Sequence, residues 1–225
     1  MSVTAASPRL MVGVPTGFLS PQIPPPNSYH VTSVGIEIEP GLGISLDGKA
    51  ILVGPKDSTE KLDIIGHLAD GTYPQRDFQV TRQGLQALVN GMYDHQDYKL
   101  DQQGPLLDVK GQTDVESFTA TYRADGMDVN SKYSGRTYKA DINGSQATVV
   151  PAWDGGIKYT LTQEGNTTRV STGHEEADFT FTRKEDGSIF IDGQLKPQDF
   201  DIKQENGALV VQGYYPQQRY VITRS

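Results

Sequence analysis

The chain has 225 residues, 36% of them hydrophobic, and a formal net charge of −8. It contains no cysteine, which excludes disulfides, thiol nucleophiles and thiolate metal sites. Acidic and basic residues are interspersed without the basic patch that nucleic acids require, so we expect no nucleic-acid partner. No run approaches the roughly 18 apolar residues of a membrane-spanning helix, and we expect no membrane span.

Residues 1–28 contain a single charged side chain, Arg9, and are rich in Ser, Thr, Pro and Gly. The proline-rich stretch 21–28 favours an extended, partly polyproline II segment that has no core of its own. We therefore predict a flexible tail that is dispensable for folding. A delivery signal for a secretion system and an arm that docks on a neighbouring subunit are the alternatives.

Residues 29–97 are predicted to form a small α+β segment that begins with strands. Val34, Ile36 and Ile38 alternate with other residues, as on a strand with one buried face. Asp47-Gly48 is suited to a type I′ turn, and residues 50–53 then read as the next strand.

Residues 56–96 hold the helical candidates, which we place over 57–71 and 81–92. Apolar residues recur there at spacings of three or four, as on one face of a helix. They are Leu62, Ile65 and Leu68 in the first segment, and Leu85, Leu88 and Met92 in the second. We expect these one or two short helices to plug or cap the sheet that follows.

Residues 98–225 contain a repeat of 20 or 21 residues, each unit of which begins with an aromatic residue. An apolar residue follows two positions later, and another follows eleven positions after each of the first six aromatics. A glycine stands between the two apolar stretches, so each unit is predicted to be an antiparallel hairpin. We call the repeated aromatic residues the aromatic column: Tyr98, Phe118, Tyr138, Tyr159, Phe179, Phe200 and Tyr220.

The hairpin register predicts a sheet with one apolar and one polar face. Two-residue type I′ turns at Asn143-Gly144 and Asn206-Gly207 require positive φ at both positions. In the first hairpin such a turn pairs Tyr138 with Val149, and the intervening residues are polar. The predicted fold class is therefore mainly β, an antiparallel meander of hairpin repeats that curls into a barrel, a hairpin solenoid or a sandwich.

The repeat contains a motif of an aromatic residue, an apolar residue, Asp or Thr, and a glycine. In this motif it resembles two known kinds of hairpin repeat. One is the tyrosine-aspartate repeat of bacterial shell-forming toxins, and the other is the aromatic repeat of Gram-positive cell-wall-binding proteins. The toxin repeats usually carry Arg after the glycine, where this chain has Pro105, Ser145 and Asn166. The wall-binding repeats carry several tryptophans, where this chain has Trp153 alone. The resemblance thus implies a shared hairpin pattern and no common family.

The residue pattern gives three candidate binding residues and no catalytic set. Asp94 and His95 bring a carboxylate and an imidazole together just before the repeat. Trp153 lies between two hairpins beside glycines, where it either anchors a partner or closes the core as a lid. Histidine spacing fits no zinc pair and no nucleotide-binding motif is present, so we expect neither a metal nor a cofactor.

We favour a non-enzymatic binding or structural module that acts through the surface of a repetitive β-sheet. Repeats build extended surfaces, and a protein or a glycan is the partner we consider. A carrier that holds an apolar small ligand inside the curled sheet is the second hypothesis. A hydrolase with its site near residues 57–97, where acids and histidines concentrate, is the third.

The one-sided sheet can be tested by replacing neighbouring residues that point to opposite faces. Phe179→Ala should destabilise the protein by about 3–5 kcal/mol, because it empties a core position. Thr180→Ala should cost well below about 1 kcal/mol, because its side chain lies on the polar face. Urea unfolding of both variants measures the difference, and equal costs would contradict the predicted register.

Overall fold

The computed structural model describes residues 7–19 and 31–225, and it is mainly β with no long helix among them. Two antiparallel sheets account for the strands: an inner sheet of five and a closed barrel of sixteen. This confirms the predicted fold class and selects the barrel among the three closures that the repeat allowed.

The inner sheet is formed by the first five strands, in the order β1-β3-β4-β5-β2. Their bounds are β1 Leu10–Val12, β2 Val14–Phe18, β3 Val34–Glu39, β4 Leu42–Ser45 and β5 Ala50–Val53. All four residues of β5 are fully buried, although successive side chains of a strand point to opposite faces. Both faces of the inner sheet are therefore covered by protein.

The barrel is a continuous meander in which each strand pairs with the next along the chain. Its strands are β6 Ser58–Ile65, β7 Phe78–Gly84, β8 Gln86–Asn90, β9 Tyr98–Gln103, β10 Leu106–Lys110, β11 Phe118–Arg123, β12 Gly126–Ser131, β13 Tyr138–Asn143, β14 Gln146–Pro151, β15 Tyr159–Glu164, β16 Thr167–Ser171, β17 Phe179–Arg183, β18 Ile189–Gly193, β19 Phe200–Glu205, β20 Ala208–Gly213 and β21 Arg219–Arg224. The last strand pairs with the first, with Ile222 opposite Ile64. Seven hairpins run from β7-β8 to β19-β20. The eighth antiparallel pair is formed by β6 and β21, which come from the two ends of the barrel sequence.

The inner sheet lies within the barrel, because barrel side chains reach it from well-separated strands. The Arg82 guanidinium, on β7, donates to the carbonyls of Gly41 at 2.8 Å and Gly54 at 3.1 Å. Arg183, on β17, donates to the carbonyl of Ile38 at 2.9 Å. A barrel of this size encloses more space than its own inward side chains fill, and here the inner sheet fills it.

The aromatic column points inward, as the register predicts. Six of its seven members are buried, and Tyr138 is partly buried against the same core. Phe78, at the start of β7, is also buried and stands 20 residues before Tyr98. The repeat therefore begins one unit earlier than the sequence analysis placed it.

The prediction of two helices over 57–71 and 81–92 is wrong. These segments contribute β6, β7 and β8, and the helical pieces between residues 57 and 97 are single 3-10 turns at Pro74–Arg76 and Asp94–Gln96. In β8, burial alternates with period two, so Ala87 and Val89 are buried while Leu88 is 47% exposed. The apparent helical stripe of this segment consists of Leu85, Leu88 and Met92, which are all exposed and happen to fall three or four positions apart.

The prediction of a tail without a core is wrong for residues 10–18. These residues form β1 and β2, the two edge strands of the inner sheet, and Val12 and Val14 are fully buried. Residues 1–6 and 20–28 of the predicted tail lie outside the described residues. Low charge here reflects burial within the barrel, where a charged side chain would need a partner.

The turn predictions are half confirmed. Asn206 and Gly207 have φ values of 51° and 82°, as a type I′ turn requires. Asn143 instead pairs with Gln146, so the loop is Gly144-Ser145, with positive φ at its glycine alone. That is the pattern of a type II′ turn.

The changed turn moves the register of this hairpin by two residues, so that Tyr138 faces Pro151 rather than Val149. Because the shift is an even number, each side chain stays on its predicted face. At Asp47-Gly48 the hairpin is present, but only Gly48 has positive φ, so the type I′ assignment is wrong there.

Removing β1 and β2 should lower the stability of the protein. A chain that starts at Tyr29 would lose both edges of the inner sheet, including several buried aliphatic side chains worth about 1.5–3 kcal/mol each. We expect its melting temperature to fall by about 10 °C or more, or its unfolding to lose cooperativity. Circular dichroism melts measure this, and a difference within about 3 °C would show that the inner sheet does not support the barrel.

Candidate functional site

The two ends of the barrel differ in their connections. One end carries short turns, mostly of two residues, while the other carries eight longer loops of five to twelve residues. The loops comprise residues 66–77, 91–97, 111–117, 132–137, 152–158, 172–178, 194–199 and 214–218. We call this the loop end, because loops on a rigid scaffold commonly carry binding residues.

The loops repeat an internal hydrogen bond. In three loops, an aspartate stands directly before the residue of the aromatic column. Its carboxylate accepts a hydrogen bond from a backbone N–H at the start of the same loop, either in the last residue of the preceding strand or in the residue after it. These bonds join Asp97 Oδ1 to Gly91 N at 2.9 Å, Asp178 Oδ1 to Thr172 N at 2.6 Å and Asp199 Oδ1 to Gly193 N at 3.0 Å. Each such aspartate therefore holds its own loop closed.

Neighbouring loops are joined by side chains that donate to the carbonyls of the preceding loop. The pairs are Gln96 Nε2 with Gln75 O at 3.1 Å, Arg136 Nη1 with Glu116 O at 3.2 Å, Gln198 Nε2 with Glu176 O at 2.9 Å and Gln218 Nε2 with Pro197 O at 2.8 Å. Arg76 makes the equivalent bond to Gln217 O, across the junction between the last and the first loop, and also donates to Tyr220 Oη at 2.7 Å. These side-chain hydrogen bonds join five of the eight pairs of neighbouring loops.

A pocket of about 380 Å³ opens at the loop end, between the inner sheet and the barrel wall. Its inner part is formed by Asp47 and Gly48, in the turn between β4 and β5. Three buried members of the aromatic column line its wall: Tyr159, Phe179 and Phe200. The exposed lining residues Lys49, Ile157 and Glu176 mark its mouth.

Asp47 is the most unusual group in this pocket. Its Oδ1 accepts hydrogen bonds from Ser45 Oγ at 2.5 Å and from Lys49 N at 3.1 Å. Its Oδ2 is buried and accepts no hydrogen bond from the described residues. Burial raises the pKa of Asp47, while the hydrogen bond from Ser45 and the charge of Lys49 oppose that rise.

Two tyrosines stand near this carboxyl group. Burial raises the pKa of Tyr159, and the neighbouring charge of Asp47 raises it further. Burial also raises the pKa of Tyr138, whose hydroxyl bonds to the side chain of Thr32. Both phenols are therefore neutral near pH 7 and can act as hydrogen-bond donors.

The structure does not bring the three predicted binding residues together. Asp94 and His95 are exposed on loop 91–97, where the His95 ring stacks on Tyr93 with 5.6 Å between ring centroids. Trp153 is 42% exposed on loop 152–158, three hairpins further along the barrel. Trp153 does not line the pocket, although Ile157 of the same loop does.

A histidine and a carboxylate do meet within residues 57–97, the region of the hydrolase hypothesis. His67 Nδ1 lies 2.6 Å from Asp77 Oδ2, and both side chains are partly exposed. Asp77 also accepts the backbone N–H groups of Gly66 and His67, so it closes its loop as Asp97 does. This geometry is explained by the loop repeat, and the pair lies outside the lining of the pocket.

Sequence reasoning missed Asp47 because it read as an ordinary turn aspartate. The available signal was the loop repeat, in which Gln-Asp-aromatic recurs at residues 96–98 and 198–200. That signal marks loops of the barrel, among them the loop whose Gln198 lines the pocket. The placement of the β4–β5 turn against that wall has no local sequence signal.

Among residues 7–19 and 31–225, no group of three or more His, Asp or Glu side chains is placed to hold a metal ion. Within the same residues, no helix has the length and apolar character needed to cross a membrane. Comparison with known proteins gives no match, since no family model, no curated protein and no solved structure is significantly similar to this chain.

The raised pKa of Asp47 predicts how Asp47→Asn will change stability with pH. A carboxyl group whose pKa is higher in the folded protein loses its favourable contribution as pH rises through that folded pKa. Relative to the unchanged protein, Asp47→Asn should therefore have a more favourable effect on the free energy of unfolding at pH 7 than at pH 3.5. Urea unfolding at both pH values measures the difference.

Asp141→Asn is the control of opposite sign. The hydrogen bond from Arg123 lowers the pKa of Asp141, so its contribution is present above the unfolded pKa and lost as pH falls. The effect of Asp141→Asn on the free energy of unfolding should therefore be less favourable at pH 7 than at pH 3.5. The same sign of pH dependence in both variants would contradict the assigned environment of Asp47.

Proposed function

We propose that this protein is a non-enzymatic binding module that takes a small ligand into the pocket beside Asp47. The observation that carries the proposal is the pocket itself, whose wall includes three members of the aromatic column. Its volume of about 380 Å³ falls within the range of small-molecule sites. The proposal unites the binding-module hypothesis with a smaller version of the carrier hypothesis.

The architecture supports a pocket of fixed shape. Its wall belongs to consecutive hairpins, and two of the loops that line it, 172–178 and 194–199, are joined by the hydrogen bond from Gln198 to Glu176 O. A preformed site loses little freedom when a ligand enters, which favours affinity. Apolar walls with a few polar groups are typical of such sites.

A second candidate function is protein binding by the loop end. Among the described residues, nine of the thirteen exposed large hydrophobic side chains lie on the long loops: Tyr73, Met92, Tyr93, Val115, Trp153, Ile157, Leu195, Tyr214 and Tyr215. Aromatic residues and Met are enriched at protein interfaces. The eight loops carry eleven acidic and five basic residues, so the complementary surface would be basic.

Filling the pocket tests the first candidate. N-phenyl-1-naphthylamine, a neutral dye that fluoresces in apolar sites, should bind the full chain. Ala177→Trp places an indole at the lining, and it should weaken dye binding about tenfold or more. Fluorescence titration measures the dissociation constants.

Ala69→Trp is the matched control, because Ala69 is an exposed alanine on another long loop, outside the pocket lining. It should leave dye binding unchanged. Circular dichroism melts check that both variants fold. Absence of dye binding, or equal binding by the two variants, would overturn the small-ligand function.

A further inference from the structure

We propose that the pocket selects an organic cation, namely an amine with an aromatic or apolar body whose ammonium group pairs with Asp47. This inference rests on the proposed function and names the chemical class of its ligand. It depends on the charge of Asp47 at the lining, on the aromatic wall and on the charges at the mouth.

Asp47 lines the pocket and brings the negative charge of its carboxylate to it. Oδ1 is hydrogen-bonded within its own turn, whereas Oδ2 is buried and accepts no hydrogen bond from the described residues. A buried negative charge is costly, and the cost falls when an opposite charge comes close to it. An alcohol could supply one donor but no charge.

The wall of the pocket suits both parts of such a ligand. Tyr159, Phe179 and Phe200 present aromatic rings, which attract a cation through their π faces and also pack against an apolar body. Burial keeps the phenol of Tyr159 neutral, so it adds no negative charge that would compete with Asp47 for the ammonium.

The charges of the lining disfavour an anion. Besides Asp47, the described lining residues include Glu176 and Asp178, against the single base Lys49. The carboxylate of Asp178 is already bonded to Thr172 and Ser171, so it acts at a distance only. Glu176 is exposed at the mouth, and the acidic loop end adds a field that attracts cations.

The test compares three ligands that share an indole ring and a short chain but differ in charge. Tryptamine is a cation at pH 7, tryptophol is neutral and indole-3-propionate is an anion. Isothermal titration with the full chain should give tryptamine a dissociation constant at least about tenfold lower than that of tryptophol. Indole-3-propionate should bind most weakly.

Asp47→Asn keeps the shape of the side chain and removes its charge. It should weaken tryptamine binding about tenfold or more while leaving tryptophol within about twofold. Glu176→Gln, at the exposed mouth, cannot unfold the core and should weaken tryptamine about twofold at low salt. Asp154→Asn, on an exposed loop outside the lining, is the matched control and should change neither ligand.

Two outcomes separate the inference from the proposed function. If the dye binds and Ala177→Trp blocks it, but tryptamine shows no advantage over tryptophol or Asp47→Asn leaves that advantage intact, the cation class is wrong and the small-ligand pocket stands. If the dye does not bind, or if Ala177→Trp and Ala69→Trp bind it equally, the small-ligand function fails and the inference that rests on it fails with it.

Discussion

The pairing of β21 with β6 is the constraint on which the rest of the structure depends. Every other neighbouring pair in the barrel joins strands that follow one another in sequence, so this one seam decides whether the meander closes. An open meander would leave two strand edges unpaired and its apolar face uncovered. Arg76, buried beside Tyr220 and bonded to Gln217 O, fixes the seam at the loop end. Because β6 begins the barrel sequence and β21 ends it, the barrel can close only when both of these strands have formed.

Closure alone would leave a wide barrel with too few inward side chains to fill it, so the inner sheet is its necessary complement. The two sheets are held together by their polar groups as well as by apolar packing. Arg82 donates to the carbonyls of Gly41 and Gly54, and it also pairs with Glu60 at 3.3 Å. A guanidinium this deeply buried requires such partners, which makes the position of the inner sheet specific as well as stable.

The sequence predicted what is local and periodic, and it failed where the structure depends on distant pairing. Hairpins from Tyr98 onward follow from period two and from glycine turns, so their inward and outward faces were predictable even where the Asn143 turn shifted the register. Leu85, Leu88 and Met92 were misread because a strand with exposed apolar residues imitates a helical stripe. The burial of β1 and β2 had no local signal at all, since a low-charge segment reads alike as a tail or as a buried strand. The candidate site was missed for the same reason: Asp47 and Phe179 are far apart in sequence and meet only through assembly.

The pocket exists only because the two sheets are assembled, so the binding of any ligand there would be linked to the stability of the fold. Asp47 belongs to the inner sheet, whereas Tyr159, Phe179 and Phe200 belong to the barrel, so unfolding separates the two halves of the site. A ligand that binds the folded form alone stabilises it by RT ln(1 + [L]/Kd), about 2.7 kcal/mol at a hundredfold excess over Kd. Burial of the Asp47 charge weakens the empty protein, and a cation bound beside it would offset part of that penalty. The same feature that makes the empty pocket unfavourable therefore makes its occupation favourable.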